Sequence, residues 1–462
     1  MAASFEDASG REYKRSMNET RTLARFVAET TFGGLPRGLV ENCKIAVLDT
    51  LGAGFVGAVQ PWAQRIVTVV RSLGGTPEAS VIHQDWRTDV SRAALANGVL
   101  IGAFECEPLT GSHASGTVLP AALAVCQRER FDGASFLTAL ALGFEVSARI
   151  ARTAVGLETV RGFHNPGTQG PFGAAAAVGK LYAFDQDRLT SAMGIAGSSS
   201  AGLLEFAWSG GDTKRLHLGR ASQLGLESAL LARNGVRGPA TVLEGRSGYF
   251  NAFSTPPRME KLVERLGADW AIEPPSLKSY ATHVTQQAVV AAIQDLKREH
   301  PLDPARITRV LIRGAPRIME ERHMERAPHD VLGGQYSLPF TTAVALTRDL
   351  SNPLAYDEAA VHDPLVRDLA RRIELEPVAD DHADAHHFWP AELLVECAGE
   401  RHTRRTRPHK GAPSNPFTWD DACEKFRRYT ASILDPARAS ALIEAVSRLE
   451  KVADMADVAA LV

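Results

Sequence analysis

Apolar residues recur at helical spacing through most of the first 250 positions. The pattern predicts helices over 40–57, 91–105, 118–128, 134–153, 189–206 and 220–235. Alanine and glycine crowd these segments, and several are apolar on nearly every face. Helices of that kind are buried among other helices. Near residue 270 the texture changes. Pro274-Pro275 breaks the pattern, a helix is expected over 285–299, and 307–314 alternates like a strand. Residues 391–406 read as two short strands around a glycine turn, and helix returns after Pro416, with 439–449 among it. Strand and helix do not alternate regularly, so a doubly wound sheet is not expected.

The predicted fold is therefore mostly α. Residues 19–270 and 405–462 form a large helical domain built from both chain ends. Residues 271–404 form a smaller inserted α+β lid, and residues 1–18 are expected to be loosely ordered.

Composition narrows the classes. The chain has 462 residues, 45% hydrophobic and 23% charged, with a net charge of -3. That balance gives no electrostatic footprint for nucleic acid or an anionic membrane. No run is read as approaching the roughly 18 apolar residues of a membrane span. The five cysteines are scattered without a CxxC, which argues against a disulfide framework or a zinc site. The N-terminus lacks a basic-then-apolar leader, so a cytoplasmic protein is expected. His386 and His387 are adjacent, point in different directions and are not expected to share a metal. Gly197-Ser-Ser-Ser-Ala-Gly202 misses the spacing of a nucleophile elbow, which leaves an α/β hydrolase using Ser199 or Ser200 as a distant reading.

Five islands carry candidate chemistry, each beside a turn. The first, Phe104-Glu105-Cys-Glu107-Pro-Leu109-Thr110-Gly-Ser-His113, joins two carboxylates to a histidine. The second, Arg161-Gly-Phe-His164-Asn-Pro-Gly-Thr168, is a glycine-rich turn opening a helix whose N-terminus, near Gly170, would favour an anion. The third is Asp212-Thr-Lys214-Arg-Leu-His217. The fourth is Ser276-Leu-Lys278-Ser-Tyr-Ala-Thr-His283, and the fifth is Gly333-Gly-Gln-Tyr336-Ser-Leu-Pro-Phe340. Singly, each has an ordinary explanation as a helix end or a solvated charge. Together they suit proton transfer on a small polycarboxylate, with lysines holding carboxylates and histidines exchanging protons near neutral pH.

These islands, in this order, resemble the MmgE/PrpD family of polycarboxylate dehydratases, decarboxylases and epimerases. The likeness is most specific in the His164 turn, in Asp212-Thr-Lys214-Arg-Leu-His217 and in Thr241-Val-Leu-Glu-Gly-Arg-Ser-Gly248. It implies a homodimer with no metal or organic cofactor. It also implies a site of His113, His164, His283 and Glu105, with Lys214, Lys278, Arg161 and Tyr336 binding substrate. His164 and His283 are the expected base and acid, His113 and Glu105 orient or relay, and the two lysines stabilise the anion. Two hydroxyls expected from the resemblance are missing, at Leu109 and Phe340. Thr110 and Tyr336 lie nearby in sequence. The implied activity is lyase chemistry on a small di- or tricarboxylate. The alternatives are an epimerase using the same proton-transfer site and a non-catalytic carboxylate-binding protein.

Overall fold

A computed structural model describes residues 3–6, 12–15, 18–272, 274–379 and 388–462. The fold is mostly α. Its centre is Asn165–Leu181, which packs against Gly133–Thr153, Ala114–Glu129 and Thr213–Arg233. Small residues allow this closeness. A Cβ added at Gly173 would lie 2.6 Å from the Gly143 carbonyl oxygen, and one added at Gly143 would lie 2.8 Å from that of Gly173. The alanine and glycine richness of the sequence is thus a record of helix backbones in contact.

Aspartates fix where several helices begin. Asp89, Asp132 and Asp185 each accept a hydrogen bond from a backbone N–H three residues on. Thr418 and Asp421 form a capping box that starts Trp419–Thr430. That C-terminal helix packs on Arg37–Ala58 from the other end of the chain. Lys425 and Asp49, both buried, pair across the contact at 2.6 Å.

The sheet has four strands in the order Ile373–Pro377, Ile307–Gly314, Ala391–Cys397 and Glu400–Arg405. The first pair is parallel and the other two are antiparallel. Helix Gln287–Glu299 packs on its last two strands, and Leu338–Thr347 on its first.

The structure adjusts several expectations. The helix expected over 91–105 stops at Ile101, with Gly102 as its cap, so Glu105 stands in the turn beyond it. The helix expected over 189–206 stops at Ser198, and Ser199 and Ser200 lie at its end, away from any strand-to-helix elbow. The His164 turn closes sooner than expected. The helix opens at Asn165, with Pro166 in its first turn, which places Gly170 inside it. Ala3–Glu6 pairs antiparallel with Glu12–Arg15. Strand Ile373–Pro377 was not read from the sequence. Gly133–Thr153 is long and apolar enough to cross a membrane, contrary to the reading that no run approaches that length. It is 83% buried within the protein, as a core helix is. His386 and His387 lie outside the described residues. Among the described residues no group of histidines, cysteines and carboxylates could hold a metal ion, and the cysteines form no disulfide.

Candidate active site

Two turns and two helix starts bring the islands together around a cavity of about 550 Å³, a size that suits a small molecule. His113, His164, His283 and Tyr336 line it, as do Leu109 and Asn165. His113 and Glu105 both occupy the left-handed backbone region, at φ 54° and 56°. Non-glycine residues hold that conformation at a cost, and such strain gathers at functional sites.

Each cavity histidine has a different partner. His113 Nδ1 lies 2.5 Å from Glu107 Oε1. Glu107 is fully buried. Desolvation opposes its charge, but Lys278 and the His113 contact prevail and hold its pKa at about 2. It is a carboxylate at neutral pH, so it accepts the His113 Nδ1 proton and fixes the ring tautomer. His164 Nδ1 faces His217 Nδ1 at 3.0 Å. Burial first, and then His217, His113 and Arg322, push the pKa of His164 well below the usual histidine value. His217 is lowered to about 4 by burial and by Lys214. His283 Nδ1 lies 2.9 Å from the Thr285 hydroxyl, and its ring packs 4.5 Å from that of His323. Its pKa is also driven well down, by burial and then by His323, Arg322 and the two lysines. His164 and His283 are therefore neutral imidazoles at pH 7, each with one nitrogen able to accept a proton.

The lysines stand elsewhere than expected. Lys214 and Lys278 are buried and do not line the cavity. Both are ion-paired to Glu105, which is itself buried; the Lys278 contact is 2.9 Å. Burial first, and then Lys278 and Arg215, push the pKa of Lys214 well below the usual lysine value. Lys214 Nζ sits 5.5 Å from the centre of the Tyr336 ring, so it acts from behind the cavity wall. Arg161 is exposed and is not among the lining residues. Leu109 presents an apolar side chain to the cavity. The Thr110 hydroxyl is occupied by the Ser115 N–H, at 2.9 Å. Phe340 is fully buried beside Tyr356, away from the lining.

Sequence reasoning missed the cavity's strongest charges. Arg152, Arg258, Arg317 and Arg322 line it, against one lining carboxylate among the described residues, Glu158. It also missed His323, fully buried with Nδ1 2.8 Å from the Tyr336 carbonyl, and it gave Glu107 no role of its own. The adjacent pair Arg322-His323 was a visible signal. The four arginines otherwise come from separate segments without common spacing.

The cavity thus brings three histidines together with four arginines in a mostly helical body. The chain belongs to the MmgE/PrpD family: the family's N-terminal domain model matches residues 21–262 and its C-terminal domain model matches 280–451. It is 26% identical to the cis-aconitate decarboxylase-like protein oryM of Aspergillus oryzae, over 96% of this chain and 97% of that one. It is likewise 26% identical to human cis-aconitate decarboxylase, over 94% of this chain and 92% of the relative. The cis-aconitate decarboxylase of Aspergillus terreus is 25% identical, with 94% of each chain covered.

Proposed function

We propose that this protein is a lyase of the dehydratase or decarboxylase kind, acting on a small di- or tricarboxylate without a cofactor. The observation that carries the reading is the meeting of proton-accepting and proton-donating imidazoles in one arginine-lined cavity. Kinship with cis-aconitate decarboxylases supports the substrate class.

In this reading the arginines neutralise the substrate's carboxylates. Neutral His164 or His283 takes a proton from the carbon alpha to one of them. His113, oriented by Glu107, supplies a proton on the other side of the reaction. A dehydration then expels hydroxide, which leaves protonated as water. A decarboxylation needs no alpha-proton abstraction: the bond to a carboxylate breaks, carbon dioxide leaves, and the electron pair left on the carbon framework takes a proton from His113. Lys214 and Lys278, held by Glu105, contribute a fixed positive field behind Tyr336 instead of direct contacts. We include in the proposal a cytoplasmic homodimer, supported by the family resemblance; light scattering on the purified protein tests the dimer.

Epimerisation is the second reading, favoured by Leu109, whose apolar side chain stands where a hydroxyl would help a group depart. The same bases would return the proton to the opposite face.

Proton NMR in D2O with methylcitrate, citrate, cis-aconitate, tartrate, malate, aspartate and iminodisuccinate tests both. A new alkene or decarboxylated product supports the lyase. Alpha-proton exchange with inversion and no other product supports the epimerase. Saturable binding with neither outcome would mark a non-catalytic carboxylate binder.

A further inference from the structure

Arg322 differs from the other guanidiniums of the cavity. Arg317 is ion-paired to Glu320. Arg152 donates from Nε to the Lys261 carbonyl at 3.3 Å, and Arg258 is exposed at the rim. The Arg322 side chain is only 6% exposed. Its Nε donates to Glu320 Oε2 at 3.0 Å, and Nη1 lies 3.9 Å from Glu158 Oε2. Its Nη2 is buried and has no hydrogen-bond partner. A buried charged donor left open costs free energy that a carboxylate oxygen would recover.

Its position is central. Arg322 depresses the pKa values of both His164 and His283, so its charge is felt at both imidazoles. Together with Tyr336 it also lines a second cavity, of about 640 Å³. Glu320 contacts Nε and Glu158 approaches Nη1, which leaves the Nη2 end of the fork for a ligand.

We infer that Arg322 binds one carboxylate of the substrate through its open edge, and that this contact makes the site prefer a tricarboxylate to a dicarboxylate. The inference rests on the polycarboxylate reading above and deepens it. It moves direct anion recognition from Lys214 and Lys278, which Glu105 occupies, to a residue that the sequence motifs did not mark.

Calorimetric titration tests this without turnover. The probes are propane-1,2,3-tricarboxylate and glutarate, which differ by one carboxylate. The wild-type protein should prefer the tricarboxylate by about tenfold or more, the scale of one charge-assisted hydrogen-bonded contact. Arg322→Gln should remove most of that preference. Arg188→Gln, which removes an exposed charge that lines neither cavity, should leave most of it. Equal preference in the wild type, or an equal loss in the two variants, would overturn the inference. Should Arg322→Gln fail to fold, Arg322→Lys keeps the charge and loses the fork; undiminished preference there overturns it too. Because binding alone is read, failure of every polycarboxylate to react would defeat the proposed chemistry and leave this result standing on its own.

Discussion

Glu107 and the cavity histidine His113 form a carboxylate–imidazole pair, 2.5 Å apart, with the carboxylate fully buried and ionised. The other two cavity histidines are backed by imidazoles instead. In the proposed mechanism the labour divides accordingly: His113 delivers a proton, and His164 or His283 accepts one. Glu107→Gln should lower turnover by about a hundredfold or more with little change in KM. The Glu107→Gln/His113→Ala double variant should be no worse than His113→Ala alone, since the pair acts as a unit. Steady-state kinetics of the three variants check it.

His164→Ala should slow the chemical step by at least about a hundredfold. Because the pKa values of His164 and His283 lie well below the ordinary value, the acid limb of the wild-type rate should fall below pH 6.5. A pH–rate profile that bends at or above that value would assign the base elsewhere.

Stability should also fall on acidification, for reasons that can be dated along the pH axis. His217 and His323 titrate at about 4 when folded and near 6.5 when unfolded. The unfolded chain therefore takes up their protons first, and stability is lost as pH drops from about 6.5 toward 4. Glu107, depressed to about 2, adds a loss that begins near its unfolded value and continues down to that pH. Melting temperatures measured from pH 7 to 4 should decline steadily.

Glu105→Gln would put a neutral amide where a carboxylate meets two buried lysines. We expect a destabilisation of about 3–5 kcal/mol, the scale of breaking a buried ion pair from one side. Lys214→Met should cost less, because Glu105 keeps Lys278. Urea unfolding of both variants tests the order.

Gly173→Ala should destabilise the protein by about 1–3 kcal/mol through overpacking, since the added methyl would press on the Gly143 carbonyl. The same denaturation assay reads it. The substitution leaves every cavity residue in place.

Much of this was legible in the chain. The glycine and alanine density foretold close helix crossings, and Gly143 against Gly173 is what that density meant. His113, His164 and His283 were visible because each follows a turn, where a backbone bend aims one side chain away from its helix. Burial was not legible. Lys214 and Lys278 carry the composition of ligand-binding lysines, and only the fold shows Glu105 between them. Arg161 shares a motif with His164, but it stays in solvent and off the cavity wall. Arg152, Arg258, Arg317 and Arg322 escaped notice because a lone arginine in sequence reads as surface charge. Strand Ile373–Pro377 escaped too, because it pairs in parallel with a segment some sixty residues earlier, a partner that local periodicity cannot reveal.

The pairing of Lys425 with Asp49 has a consequence for how the protein is made. Lys425 also donates to the carbonyl of Cys106, the residue between Glu105 and Glu107, at 3.1 Å. The turn that carries both acids is thus braced by a residue more than three hundred positions later. On the ribosome, the first half of the chain can gather its helices long before that brace emerges. Until then the acidic turn lacks its clamp and the cavity lacks a finished wall. The acidic turn is therefore complete only once the two ends of the chain have met.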